Sequence, residues 1–589
     1  MTSDVDFRGL GAHPHDGGTR FGVWAPHAES VSVVGDFNDW NDATSPLTRD
    51  GDVWSADVAD AAPGHEYKFA ISSGGKMSQR IDPYARQCTN SVGNGIIYAD
   101  STFEWGDDSF RCPPMNELVI YETHVGSFVT DGQGVGRLGE VATKLDYLKS
   151  LGINAIQLMP LMEFAGDYSW GYNPAHVFAV ESAYGGPDAL KRLVKAAHEH
   201  GIAVIIDVVY NHFGPSDLDM WQFDGWSEND KGGIYFFEDW RSTTPWGDTR
   251  PDYGRHEVRQ FIADNARMWL ANYHADGLRW DMTPYIRSVD ATVENIPEGR
   301  VMCREINDEI RRDFPDCVSI AEDLHGDPTV TSIAEGGAGF HSQWDNHFVH
   351  PIRDAIIPAD DAARSMASVA DAVTWSYGDA FDRVIYTESH DEVANGHARV
   401  PQEADPNDPT SARAQKASVL GAALTLTSPG IPMLFMGQEF LQDEWFRDNV
   451  PLDWSGLGEF HGIAVLHQDL IRLRRNADNT TRGLSGQHVA VLDADEAAKV
   501  IAYHRWMDGG PGDDVTVVVN LSGATHENVG VQFPSAGRWK LVLNTDATVY
   551  SSSFTGTWVG DADAQDHGGA AIAQVTLPPY TALIFARTE

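Results

Sequence analysis

The sequence has few cysteines and no long apolar run. Its four cysteines, Cys88, Cys112, Cys303 and Cys317, are scattered along 589 residues without a CxxC spacing. This pattern argues against a zinc site or a disulfide scaffold and fits a reducing compartment, so we expect a cytoplasmic protein. No stretch reaches the roughly 18 apolar residues that a membrane span requires. The first residues contain neither a basic stretch nor an apolar core, so we expect no signal peptide.

Positive charge is also scarce. The chain has 86 Asp and Glu against 42 Lys and Arg, a net charge of −44, and only ten of the basic residues are Lys. No basic face can dominate such a surface, so nucleic acid and anionic membranes are poor partners. An acidic, lysine-poor surface suits a protein that works in molar salt, because carboxylates hold water and cations; an ordinary acidic protein is the alternative.

Three regions of the chain differ in their residue patterns, and the length favours two or three domains. Residues 20–110 alternate apolar and polar side chains, which predicts a small N-terminal β-sandwich, and strand patterns return from about residue 480 as a C-terminal β-sandwich domain. Between them, short apolar runs alternate with amphipathic helices. We therefore expect domains at 1–112, 113–475 and 476–589.

The middle region contains eight candidate strands in order. They lie at 118–125, 155–160, 203–212, 277–281, 318–323, 339–346, 384–391 and 432–440. Helical segments, such as 187–201 and 256–274, lie between most of them. Eight strands that alternate with helices predict an α/β fold, a (β/α)8 TIM barrel, whose active site lies at the carboxyl ends of the strands.

Acidic side chains occur where four of these strands end. The third strand contains Asp207, the fourth ends in Arg279 and Asp281, the fifth in Glu322 and Asp323, and the seventh in Glu388, His390 and Asp391. Burying several carboxylates is costly unless they have a function. Four such strands in one barrel therefore predict a catalytic centre.

Carboxylate chemistry is what these residues support. No metal-ligand cluster, phosphate-binding glycine loop or nucleophilic Ser or Cys turn stands out, so we predict neither a metal nor a cofactor. Acetal cleavage with retention needs one carboxylate as nucleophile and one protonated carboxyl as acid. Arg279 lies two residues before Asp281, on the same side of the strand, and would keep it ionised. Glu322 needs a raised pKa to donate a proton.

Four motifs at barrel-strand spacing carry a family resemblance. DVVYNH (207–212), GLRWD (277–281), IAED (320–323) and ESHDEV (388–393) resemble those of the α-amylase superfamily, glycoside hydrolase family 13. The segment 21–40, FGVWAPHAESVSVVGDFNDW, looks like the β-sandwich module of branching enzymes, trehalohydrolases and debranching enzymes. The resemblance covers most of the chain and implies an α-glucan substrate such as amylose, glycogen or maltooligosaccharides.

The resemblance also implies a role for each motif residue. Asp281 is the expected nucleophile, Glu322 the acid/base and Asp391 the third carboxylate. The expected substrate-binding residues are Tyr172 as a platform in WGYNP, His212 and His390 as hydrogen-bond partners of sugar hydroxyls, Arg279 to orient Asp281, and Asp207 to support the pocket. In some amylases the residue matching Asn211 helps to bind calcium; its partner ligands are not identifiable in this sequence, and we predict no metal.

Three subgroups of the family share features with this chain. ELVIYETHVGSF (117–128) and LFMGQEFLQDEW (434–445) resemble 1,4-α-glucan branching enzymes, which transfer a cleaved chain to a 6-hydroxyl. TPWGD (244–248) and IAEDLHGDP resemble maltooligosyltrehalose trehalohydrolases, although the fourth motif differs. A plain α-amylase is the third alternative. Trp280, before the expected nucleophile, departs from the branching pattern, in which a smaller apolar residue is usual. We favour branching; a non-catalytic glucan-binding scaffold would have a broken carboxylate set.

Overall fold

The N-terminal part consists of two antiparallel sheets packed face to face. The computed structural model describes residues 7–132 and 134–588, so residues 1–6 of the predicted first domain, and residues 133 and 589, lie outside the described chain. The strands of the first sheet are, in spatial order, Gly11–His15, Gly18–Trp24, Val53–Val58 and Thr48–Asp50; those of the second are Ser30–Gly35, Glu66–Ser73 and Lys76–Arg80, with Gly95–Ile96 beside Glu66–Ser73. Phe21, Val33 and Phe69 are fully buried in its core, and the predicted β-sandwich is confirmed.

The central part is a closed barrel of eight parallel strands. Barrel strands one to eight are Ile120–Thr123, Ala155–Leu158, Ala203–Val208, Gly277–Trp280, Val318–Ala321, Ser342–Trp344, Arg383–Ile385 and Ile431–Phe435. Each overlaps one predicted strand, and the predicted (β/α)8 barrel is confirmed. The strands are shorter than predicted, because the apolar runs continue into buried loops. Thus Glu388, His390 and Asp391 do not end strand seven; they lie in the loop after Ile385.

Helices surround the barrel, and their apolar faces pack on it. Gly186–His200 buries Leu190, Leu193, Val194 and Ala197, which recur at helical spacing, and ends at Gly201, whose φ of +76° suits glycine. The other α-helices are Val125–Phe128, Leu138–Ala142, Leu145–Leu151, His256–Ala271, Pro284–Arg287, Pro297–Asp313, Asn346–Ile356, Met366–Thr374, Val400–Ala404, Ala412–Thr427, Gly456–Glu459 and His461–Arg474. The short 3-10 helices are Asp36–Asn38, Asp100–Thr102, Met115–Glu117, Trp240–Ser242, Asp361–Ala363, Gln438–Phe440 and Arg482–Ser485. No helix in the ranges 7–132 and 134–588 is both long and apolar enough to span a membrane.

An antiparallel hairpin follows barrel strand two. Its strands are Met162–Phe164 and Pro174–Val180, and the loop between them carries the WGYNP segment with Tyr172. All ten residues of the two strands are buried. The hairpin therefore fixes the loop over the carboxyl ends of the strands.

The C-terminal part is an eight-stranded antiparallel sheet that folds over its own core. In spatial order its strands are His488–Asp495, Val500–Trp506, Val515–Asn520, Thr581–Arg587, Gly537–Asn544, Ala562–His567, Ala570–Leu577 and His526–Phe533. Val518, Trp539 and Phe585 are buried between its layers. The predicted C-terminal β-domain is confirmed, whereas the boundaries after residues 112 and 475 stay predictions.

Polar and aromatic contacts hold the N-terminal part to the barrel. The ring of Trp105 stacks on His274 with 3.8 Å between centroids, and that of Phe110 stacks on His198 at 4.5 Å. Asp108 accepts hydrogen bonds from both imidazoles, at 2.7 Å from His274 and 3.0 Å from His198. The segment before the first barrel strand is therefore fastened to the helix Gly186–His200 and to the loop after the helix His256–Ala271.

Candidate active site

Arg279 lies at the centre of the predicted site, at the carboxyl end of barrel strand four. Its Nη1 lies 2.7 Å from Asp207 Oδ2, on neighbouring strand three, and its Nη2 lies 2.6 Å from Glu322 Oε2, just after strand five. Asp281 Oδ1 is farther from Nη1, at 3.4 Å. The guanidinium is fully buried, so it neutralises part of the charge of three carboxyl groups at once. Its closest partners are thus Asp207 and Glu322 rather than Asp281.

Glu322 is held by the loop that follows strand four. Its Oε2 accepts a hydrogen bond of 2.9 Å from the backbone N–H of Met282, and its backbone carbonyl accepts one of 2.9 Å from Thr283. Burial raises the pKa of Glu322, while the charge of Arg279 opposes that shift. A carboxyl with a raised pKa and a fixed position suits proton donation to a leaving group.

Asp281 shares the Arg279 guanidinium with Glu322 and is 5% exposed. Burial and the negative charge of Glu322 raise the pKa of Asp281, and Arg279 only partly offsets this. Two buried carboxyls that repel each other favour a state in which one proton is shared by the pair. Arg279 favours the ionised form of Asp281 against these two effects, and its role in keeping Asp281 ionised stays a prediction.

Asp391 and His390 form the wall contributed by the loop after strand seven. His390 Nε2 lies 3.3 Å from Asp391 Oδ2, while Nδ1 donates to Glu122 Oε1 at 2.7 Å. Although burial favours the neutral forms, the opposite charges of the pair lower the pKa of Asp391 and, with Glu122, raise that of His390 well above its usual value. Asp391 is thus a fixed anion beside a charged imidazole.

Tyr172 connects both sides of the site. Its hydroxyl donates to Asp207 Oδ2 at 2.7 Å, and its ring stacks on His390 with centroids 5.1 Å apart. His212 donates from Nε2 to the carbonyl of Tyr172 at 2.8 Å, and burial lowers its pKa to about 4. Burial also raises the pKa of Asp207 to about 6. All eight residues predicted from the motifs therefore come together at one end of the barrel.

Three site residues were missed or left unresolved by the sequence. Glu122, near the end of strand one, is fully buried against His390. The ring centroid of Trp344, on strand six, lies 4.3 Å from the guanidinium carbon of Arg279. The ring of Trp246 stacks on that of His212, with centroids 4.4 Å apart. Trp246 lies in the TPWGD segment (244–248), for which the sequence predicted no role in the site. Glu122 gave a usable signal, since it lies near the carboxyl end of a predicted strand, but one such acid is usually a solvated side chain.

The environment of Asn211 bears on whether the site could bind a metal ion. Both polar atoms of its buried side chain lack a hydrogen-bond partner. Among the described residues, however, no group of three or more His, Cys, Asp or Glu side chains is arranged to hold a metal ion. A lone amide does not make a cation site.

Comparison with known proteins decides the family. The chain is 33% identical over 98% of its length to the 1,4-alpha-glucan branching enzyme of Corynebacterium jeikeium, covering 83% of that protein, and 31% identical over its whole length to that of Salinibacter ruber, covering 98%. The chain belongs to the α-amylase family. It is an enzyme of glycoside hydrolase family 13, and within that family it is most like the branching enzymes.

Family matches agree with this placement, and solved structures share the fold. Residues 9–85 match carbohydrate-binding module 48 (isoamylase N-terminal domain), residues 125–245 the α-amylase catalytic domain, and residues 492–588 the α-amylase C-terminal all-beta domain. The fold of this α-amylase family member is similar to that of a pullulanase from Anoxybacillus sp. LM18-11 complexed with maltotetraose, with a TM-score of 0.77 and 21% identity over 98% of this chain and 87% of that one. A pullulanase from Bacillus subtilis complexed with maltose gives a TM-score of 0.76, 21% identity and coverage of 100% and 87%.

Proposed function

We propose that this protein is a 1,4-α-glucan branching enzyme that works by retention. The observation that carries the proposal is the set of three carboxyl groups, Asp281, Glu322 and Asp391, gathered at one barrel end around Arg279. The similarity over nearly the whole chain to proteins named as branching enzymes supports the same conclusion.

The first half-reaction forms a covalent glycosyl enzyme. The Glu322 carboxyl donates its proton to the oxygen of an α-1,4 bond as the Asp281 carboxylate attacks the anomeric carbon, so the C–O bond breaks and an ester forms. The released chain leaves with a free 4-hydroxyl. Asp391 and His390, fixed to each other, are placed to hold hydroxyls of the same sugar. Tyr172 packs beneath that sugar.

The second half-reaction transfers the chain. Glu322, now ionised, removes the proton from a 6-hydroxyl of another glucan chain, and that oxygen attacks the anomeric carbon and releases Asp281. Water as the acceptor would give hydrolysis instead, the reaction expected of an α-amylase or a trehalohydrolase. The choice depends on which acceptor reaches the intermediate.

Incubation of the protein with amylose tests the proposal. Proton NMR should show new α-1,6 signals while a reducing-end assay shows few new ends. Rising reducing ends without α-1,6 signals would make the protein a hydrolase.

Asp281→Asn and Glu322→Gln should each lower the transfer rate by several orders of magnitude, because each removes a member of the covalent mechanism. Glu335→Gln, an exposed acid, is the matched control. More than about a tenth of the wild-type rate in Asp281→Asn would contradict the role of that residue.

Two further properties belong to the same proposal. A net charge of −44 supports a protein adapted to high salt. Four scattered cysteines, which form no disulfide in the described chain, support a reducing, cytoplasmic setting.

A further inference from the structure

A groove outside the active site lies between two helices on the outside of the barrel. It runs between Asn346–Ile356, which follows barrel strand six, and Met366–Thr374, and has a volume of about 370 Å³. The residues that line it include His347, Pro351, Ser368, Asp371 and Trp375. None of them takes part in the catalytic contacts described above.

An aromatic platform forms one wall of this groove. The rings of Trp375 and His347 stack with centroids 4.1 Å apart and 9° between their planes. Tyr377 packs edge-on against Trp375 at 6.0 Å, which further fixes the indole. Trp375 is nevertheless 38% exposed, whereas Trp269, Trp280 and Trp344 are buried. A rigid, partly exposed indole offers the flat apolar surface on which the C–H face of a sugar ring stacks.

Hydrogen-bonding groups surround the platform. Pro351 lies inside the helix and has no amide hydrogen, so the carbonyl oxygen of His347 lacks the donor it would normally find four residues on. The polar side chains of Asn346, Ser368 and Asp371 complete the lining. Sugar hydroxyls both donate and accept hydrogen bonds, so they match this mixture of groups.

The groove borders the catalytic end of the barrel. Asn346 Nδ2 donates to the carbonyl of Leu324 at 2.9 Å, and Leu324 lies two residues after Glu322. The ring of His347 packs against Gly326 in the same loop so closely that a Cβ there would lie 2.2 Å from the imidazole. A polymer bound at Glu322 is therefore near the groove.

The charges favour a neutral ligand. His347 Nδ1 lies 3.5 Å from Asp345, and His350 Nδ1 lies 3.8 Å from Glu392, so both imidazoles already face carboxylates. With a net charge of −44, the protein repels polyanions. An uncharged polysaccharide does not experience this repulsion.

We propose that this groove is a second binding site for an α-glucan chain, which it holds by stacking on Trp375 at a distance from the bond that is cleaved. The identity of the ligand rests on the proposed function. A chain bound at both places gains affinity by multivalency, since the second contact is intramolecular.

Electrophoresis in native gels containing glycogen tests the site. In an Asp281→Asn background, which prevents turnover, Trp375→Ala should weaken retardation about fivefold or more, the effect of losing one stacked ring. The matched control is Trp558→Ala, whose indole is 84% exposed on the C-terminal domain and should not change retardation. If Trp375→Ala does not fold, Ser368→Arg fills the groove from an exposed position and should have the same effect.

A direct readout comes from the indole N–H resonance of Trp375, which should shift on titration with maltoheptaose. Unchanged retardation in the folded variants, or an indole resonance that does not move, would overturn the proposal. The two proposals fail separately: without α-1,6 signals from amylose, Trp375-dependent retardation would still establish the groove while the branching assignment failed.

Discussion

At the scale of single residues, the buried Glu122 is a further carboxylate of the site, and several hydrogen bonds hold it. It accepts two hydrogen bonds from one residue, 2.7 Å from His390 Nδ1 and 3.0 Å from the His390 backbone N–H, and a third of 3.4 Å from Gln157. A fully buried carboxylate with these partners keeps the imidazole protonated and its Nε2–H directed at Asp391.

Glu122→Gln should therefore move the alkaline limb of the pH–activity profile to lower pH. Burial disfavours the charged imidazole, and without the Glu122 charge only Asp391 strongly opposes that effect, so the pKa of His390 falls. Measurement of kcat/KM against pH checks this, together with NMR titration of His390. Glu117→Gln, an exposed acid near the same strand, should leave the profile unchanged. An unshifted limb and an unshifted imidazole would contradict the role of Glu122.

At the scale of elements, the hairpin that carries Tyr172 contains an unfavourable pair of buried acids. Burial raises the pKa of Glu163 to about 8 and that of Glu181 to about 7, and the charge of Glu181 adds to the shift of Glu163. Backbone N–H groups partly compensate, since Ser182 donates to Glu163 at 2.8 Å and Ala183 to Glu181 at 2.8 Å. The folded state holds these protons more tightly than the unfolded chain does.

The stability of the protein should consequently fall as pH rises from about 5 to about 8. A carboxyl whose folded pKa lies above its unfolded value of about 4.3 favours folding at low pH, and this contribution is lost as the group ionises. Glu163→Gln removes the Glu163 charge, so its Tm should exceed that of wild type at pH 8.5 and match it below the unfolded pKa of about 4.3. Glu335→Gln, an exposed acid outside the hairpin, is the control. A Glu163→Gln variant less stable at pH 8.5 would contradict the argument.

At the scale of the whole molecule, the acidic surface governs the response to salt. The Debye length shrinks from about 10 Å at 0.1 M to about 3 Å at 1 M, so salt screens repulsion among the surface carboxylates of a chain with a net charge of −44. We expect the Tm and the transfer rate to rise between dilute buffer and molar KCl. Sucrose at equal osmolality is the control that separates screening from solute exclusion, because sucrose does not screen charge. Full stability in dilute buffer would refute adaptation to salt.

The sequence by itself determined the barrel and predicted the catalytic set. Apolar periodicity and chain order are local properties, so the eight strands could be predicted with small errors at their ends. The motif resemblance then implied all eight site residues, from Tyr172 to Asp391, because the carboxyl ends of barrel strands meet at one face. The predicted extent of the strands was wrong, as for strand seven, where the polar motif follows the strand.

The tertiary structure alone decided the contacts between distant positions. Glu122 and His390 are 268 residues apart and meet only because the barrel closes between strands one and eight. The raised pKa of Glu163 depends on burial in a hairpin, and the exposed face of Trp375 on the packing of two helices. Such properties arise from desolvation and long-range proximity, which no local residue pattern encodes.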